Sequence, residues 1–129
     1  MHRSRLAGLI IDCDTDDLDK ADAFWSKALG FPVKASSDPI DEHYVHLDSG
    51  ALGLHVEVQR VAHPSRVHLD LVTNDLEAEV SRLERLGARR VQFVHSWWVM
   101  EAPTGQRFCV LPTQKPLEDG NPWPDEVDP

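Results

Sequence analysis

Residues 8–18 read GLIIDCDTDDL and residues 66–76 read RVHLDLVTNDL; laid together without a gap, at an offset of 58, they agree at Asp12/Asp70, Thr15/Thr73, Asp17/Asp75 and Leu18/Leu76. A match at fixed offset marks one supersecondary unit used twice, so this repeat decides the fold before any single motif does. Each copy runs into a helical segment that ends in Leu-Gly, at Leu29-Gly30 and Leu86-Gly87, with one extra residue in the first copy.

The second helix shows Leu76, Val80, Leu83 and Leu86 near 3.6 spacing, with Asn74 as its expected N-cap, Glu77 three residues on and Gly87 in the left-handed position after its end. The first carries Leu18, Ala21, Trp25 and Leu29 on one face, acids in its first turn and Gly30 as its stop. β-prone runs follow at Phe31–Ala35, Tyr44–Asp48 and Leu54–Val61, then at Arg90–Val94, Trp97–Glu101 and Arg107–Leu111. The reading is β-α-β-β-β twice, an α+β fold, with modules at about 6–61 and 66–112 of a domain spanning 1–113. Residues 114–129 form an acidic, Pro-rich tail, expected to be extended or disordered; Trp123 between two prolines is its one candidate docking element.

With 129 residues, 41% hydrophobic and 27% charged, the chain suits one globular domain. Its 22 acids against 13 bases give a net charge of −9, which repels phosphate backbones and anionic lipid, so nucleic acid and membrane partners are not expected. Apolar runs are too short to span a bilayer, and Leu6–Ile11 is too short for a secretion signal. Two cysteines, Cys13 and Cys109, do not make a disulfide framework, and a cytoplasmic location is expected.

Strand alternation sorts side chains onto two faces. Leu9, Ile11 and Cys13, Val67, Leu69 and Leu71, Leu54, Val56 and Val58, and Phe108 with Val110 suit the helices. Opposite them fall Ile10, Asp12 and Asp14; His68, Asp70 and Val72; His55, Glu57 and Gln59; and Arg107, Cys109 and Leu111. Tyr44, His46 and Asp48 share that polar face, and of Trp97 and Trp98 one turns to each side. Tyr44, His46, His55, Trp97, Trp98 and Arg107 are therefore the candidate lining for a flat organic ligand.

IDCDTDDLDKADAFWSKALGF in the first half, VHLDLVTNDLEAEVSRLERLGA opening the second, and the ending WWVMEAPTGQRFCVLP resemble the glyoxalase-like branch of the vicinal oxygen chelate superfamily, over about Leu6–Pro112. The resemblance implies two βαβββ modules curled into an open, barrel-like mixed sheet around a central cavity, often as a homodimer. It also implies activities that range from glyoxalase, epimerase and extradiol dioxygenase to metal-free sequestration of bleomycin. Family metal ligands come from the first and last strands of each module. Carried onto this chain, those positions are Ile10, Glu57 or Gln59, His68 and Cys109, of which Ile10 cannot coordinate.

The expected function is thus metal-free binding of a small organic molecule. The alternative is a lyase, isomerase or dioxygenase with a divalent metal on His68, Glu57 (or Gln59) and Cys109, and Glu101 or Asp70 moving the proton. A third reading is a structural dimer or regulatory subunit that docks through the tail. The aspartates at 12–19 are not an EF-hand, because its sixth and twelfth positions would be Asp17 and Ala23. No Gly-rich phosphate cradle or Gly-x-Ser-x-Gly elbow occurs.

Overall fold

The structure is a computed structural model that describes residues 1–34 and 43–125. Elements follow in the order β1 (His2–Asp14), α1 (Leu18–Leu29), β2 (Tyr44–Asp48), β3 (His55–Val61), β4 (Arg66–Thr73), α2 (Leu76–Arg85), β5 (Arg89–Val94), β6 (Trp97–Glu101), β7 (Arg107–Pro112) and β8 (Asn121–Trp123). The fold is mixed α+β, with strands that pair both parallel and antiparallel. It divides into two compact units, Gly8–His68 and Met1–Ala7 with Leu69–Pro129.

In the Gly8–His68 unit β3 runs parallel to β1 and antiparallel to β2. Ile11, Leu47, Val56 and Val58 are buried on one face, and Leu18, Ala21 and Trp25 of α1 pack on them, as the two periodicities require. In the other unit β4 runs parallel to β7, followed by antiparallel β6 and β5. There Val80 and Leu83 of α2 bury against Met100 and Val110. In the same unit β8 pairs antiparallel with the start of β1, setting Trp123 opposite His2, and Leu117 is buried nearby in sequence.

The repeat proves to be a capping device. Asp17 and Asp75 are the N-caps of α1 and α2; their side chains accept from Lys20 N and Ala78 N, each at 3.1 Å. Thr15 and Thr73, two residues upstream, accept from the N–H of those same aspartates, each at 3.1 Å. Side-chain acceptors here satisfy donors that a helix start leaves open. The α2 cap is therefore Asp75 and not the expected Asn74, whose side chain instead accepts from Arg3 N and donates to Pro116 O. Gly30 and Gly87 take positive φ at the helix ends, as expected.

Two further expectations need correction. The strand at Phe31–Ala35 is reduced to an isolated bridge at Val33, with Ala35 outside the described residues; Pro32 has no N–H to extend a ladder. Val67 and Leu69, assigned to the helix-covered side, are exposed, while Leu71 alone of that set packs on the α2 cluster.

Candidate functional site

In the Gly8–His68 unit the polar face is laid out by register. Ile10 lies opposite Glu57 and Asp12 opposite Gln59 across β1 and β3, while His46 lies opposite Glu57 and Tyr44 opposite Gln59 across β2 and β3. Cross-strand partners share a face, so the residues singled out in this half stand together. At the β1 end Gly8 faces His55, and β1 can come that close only because Gly8 has no side chain: a Cβ there would meet the His55 carbonyl oxygen at 2.1 Å.

His46, His55 and Glu57 converge, with one ligand-capable atom from each lying within 4.8 Å of the others. His55 Nε2 is 3.2 Å and His46 Nε2 3.8 Å from Glu57 Oε1. The two imidazoles meet edge to face at 4.6 Å, and the Tyr44 ring meets His46 at 5.3 Å.

Asp12 falls on the polar face in the sequence but is not among the candidate site residues named from it. It is 2% exposed, and its Oδ2 accepts from His68 Nδ1 at 2.7 Å, with Arg66 Nε at 3.7 Å. Its Oδ1 is buried and has no hydrogen-bond partner among the described residues. The signal was present, since Asp12/Asp70 is one of the four identities of the repeat. A carboxylate on Nδ1 fixes the tautomer of His68, whose side chain is 15% exposed and so withdrawn from bulk water.

In the other unit Asp70 pairs in register with Cys109, Cys109 with Val99, and Arg107 with Glu101, which assembles the second polar face from β4, β7 and β6. Glu101 accepts from Arg89 Nε at 2.9 Å and Arg107 Nε at 3.1 Å. The Arg89 hydrogen bond above all, with the charge of both guanidiniums, holds its carboxyl below the usual range. Trp98 packs on the α2 cluster with Arg90 over its ring, so Trp97 is the tryptophan on the polar side. Cys13 packs on the α1 side, where burial pushes its thiol pKa up. A groove of about 750 Å³ at the ends of β1 and β3 is lined by Asp14, Thr15, His43 and Arg60 among others, and by none of the candidate site residues.

The model of the glyoxalase-like domain family matches residues 9–111. The chain belongs to this family. No curated protein matches the chain. Among solved structures it is similar to methylmalonyl-CoA epimerase from Mycobacterium tuberculosis, at 16% identity and a TM-score of 0.59 over 84% of this chain and 87% of that one. It is similar to a glyoxalase/bleomycin resistance protein/dioxygenase superfamily member from Vibrio splendidus 12B01, at 21% identity and a TM-score of 0.54 over 83% and 98%. It is also similar to the Mn(II)-bound glyoxalase from Novosphingobium aromaticivorans, at 18% identity and a TM-score of 0.59, where it covers 85% of itself and 39% of that chain. Of some other matched structures, an extradiol ring-cleaving dioxygenase among them, the chain spans about a third of the length. At such identities the likeness is one of fold.

Of the ligand positions that the family resemblance implies, one carries a side chain that cannot coordinate. The first-strand position is Ile10, aliphatic and 2% exposed, directly opposite Glu57. Glu57 itself is grouped with His46 and His55. No helix among the described residues is long and apolar enough to cross a membrane.

Proposed function

We propose that this chain is a glyoxalase-like small-molecule-binding protein that leaves the family's metal position unbuilt and takes its ligand on the polar face of β1, β2 and β3. One observation carries this reading: the buried Asp12 carboxylate, with one oxygen on His68 and the other without a partner among the described residues. An isolated buried acceptor costs roughly 1–3 kcal/mol, which a ligand N–H or O–H offsets on binding. Tyr44, His46 and His55 follow one another edge to face along the same sheet face, a run of rings suited to a flat, partly apolar body. The ligand class is therefore a planar organic molecule with at least one hydrogen-bond donor.

A thermal-shift screen of planar aromatics and 2-oxo aldehyde adducts, run in chelator, tests this. Stabilising compounds are expected to act without metal and to lose their effect in Asp12→Asn, which turns the waiting acceptor into a donor. If no compound stabilises the protein, or chelator abolishes every shift, the reading fails.

The second reading, a metal-dependent lyase, isomerase or dioxygenase, is favoured by the Asp12–His68 pair, because metal-bound histidines characteristically donate their other N–H to a carboxylate. In it His68 with Glu57 or Gln59, and Cys109, hold the ion, and Asp70 carries the proton in preference to Glu101, which two arginines keep ionised. Trp97 and Arg107 extend the substrate surface in either case. Homodimerisation belongs to the proposal as well: Val67 and Leu69 leave apolar side chains uncovered, and sedimentation equilibrium reads the outcome.

A further inference from the structure

We propose that His46, His55 and Glu57 form a binding site for a divalent transition-metal ion, built on the β2–β3 pair alone and sharing only Glu57 with the positions that the family resemblance implies. This goes beyond the small-molecule reading and does not depend on it.

The placement follows from two rules of strand geometry. His55 and Glu57 are two apart on β3 and so point the same way, and His46 is Glu57's direct partner on β2. Three ligand atoms thus come from adjacent positions on two hydrogen-bonded strands. Behind them Leu47, Val56 and Val58 are buried against α1, which fixes the backbone that carries the site.

The distances suit an ion. Ligands about 2.0–2.1 Å from a tetrahedral zinc stand about 3.3 Å from one another. Here two edges of the triangle are 3.2 and 3.8 Å, and no edge exceeds 4.8 Å. Side-chain torsions alone close the remainder. Both imidazoles direct Nε2 toward one carboxylate oxygen, an arrangement that a cation between them satisfies better than a single shared proton does. The other carboxylate of these two strands, Asp48, is turned away to accept from Gly50 N at 2.8 Å.

Two nitrogens and one oxygen are a borderline donor set, fit for Zn²⁺ and Co²⁺ and poor for Ca²⁺ or Mg²⁺. Three protein ligands leave a fourth position open. The side chains are 31%, 38% and 15% exposed for His46, His55 and Glu57, so the ion enters from solvent and its open position meets an outside ligand. An anionic or carbonyl oxygen donor is the class that would occupy it. The histidines must be neutral to bind, so loading releases protons and is opposed by acid.

The test titrates Zn²⁺ and Co²⁺ into chelator-stripped, tag-free protein with no organic compound present, read by calorimetry and visible absorption. We expect one equivalent, with a Kd on the order of 1 µM or tighter. His46→Ala, His55→Ala and Glu57→Gln should each weaken it about tenfold or more. His68→Ala and Cys109→Ser should retain it, and bound Co²⁺ should show no thiolate charge-transfer band. If an alanine variant fails to fold, His46→Gln or His55→Gln takes its place. Absence of saturable binding, or loss of binding in His68→Ala or Cys109→Ser with retention in the His46 variant, overturns the proposal. The small-molecule reading is judged in chelator, so the two fail separately.

Discussion

Gly8 shows how tightly a single residue can constrain the site. An added methyl would meet the His55 carbonyl oxygen at 2.1 Å and the His55 Cβ at 2.8 Å, and neither is the far end of a flexible chain. Gly8→Ala is expected to destabilise the protein by roughly 3 kcal/mol, measured by urea denaturation, and to weaken metal binding by displacing His55. Glu79 sets a different constraint. It is fully buried and accepts from Arg82 Nε at 2.7 Å and Nη2 at 2.8 Å, with His2 Nε2 at 2.8 Å. Burial works to raise its carboxyl pKa, but hydrogen bonds from Arg82, Ser4 and His2 outweigh it, and the net shift is downward. A depressed carboxyl stabilises the fold above its unfolded value of about 4.3, and that share is lost as pH falls through the lower folded value. Glu79→Gln should therefore cost about 3 kcal/mol at pH 7, by leaving the half-buried Arg82 and the buried His2 without the carboxylate they share. Urea midpoints of mutant and wild type should converge below the ordinary glutamate range, and a gap independent of pH would refute this account.

Helix starts are where the repeat acts. Asp75 holds Ala78 N, and Thr73 Oγ1 in turn holds Asp75 N, so Asp75→Ala should lose about 1 kcal/mol in thermal or urea unfolding. Asn74→Ala should leave α2 capped and act instead through its bonds to Arg3 and Pro116. The order of these two variants checks the assignment of the cap. The repeat, both helices and the glycines that end them were legible because each rests on local spacing. The cap was displaced by one residue because Asn and Asp are equally good acceptors, and only backbone geometry chooses between neighbours. The strand expected at 31–35 reads as β-prone, yet a proline at its second position removes a donor that propensity does not count. For the site, alternation placed Tyr44, His46, His55, Glu57 and Gln59 on one face. It does not say that His46 lies opposite Glu57, because that register is set by the connection between β2 and β3. Nor does it reveal the Asp12–His68 bond, which joins positions 56 residues apart and depends on tertiary placement.

At the scale of the whole chain, both described ends belong to one unit, Met1–Ala7 with Leu69 onward, while the clustered histidines and Glu57 belong to the other. Trp123 is the hinge of the first arrangement. Its Nε1 donates to Ser4 Oγ at 2.8 Å, and its ring lies 3.8 Å under the Arg82 guanidinium that also clamps Glu79. The tail is thus tied to β1 and α2 through a polar network, which offers a structural role for Trp123 where the third reading would have it dock a partner. Trp123→Ala should cost about 1–2 kcal/mol from the lost hydrogen bond and cation–π contact, a fall of roughly 5 °C in Tm. Sites without shared partners add independently, so the variant should bind Zn²⁺ as wild type does. Native-state hydrogen exchange gives the sharper check. Protection should fall at the start of β1, in α2 and around β8, and hold in β2 and β3. An equal fall in β2 and β3 would mean that the chain opens as one cooperative body, and that the metal-binding pair depends on the tail after all.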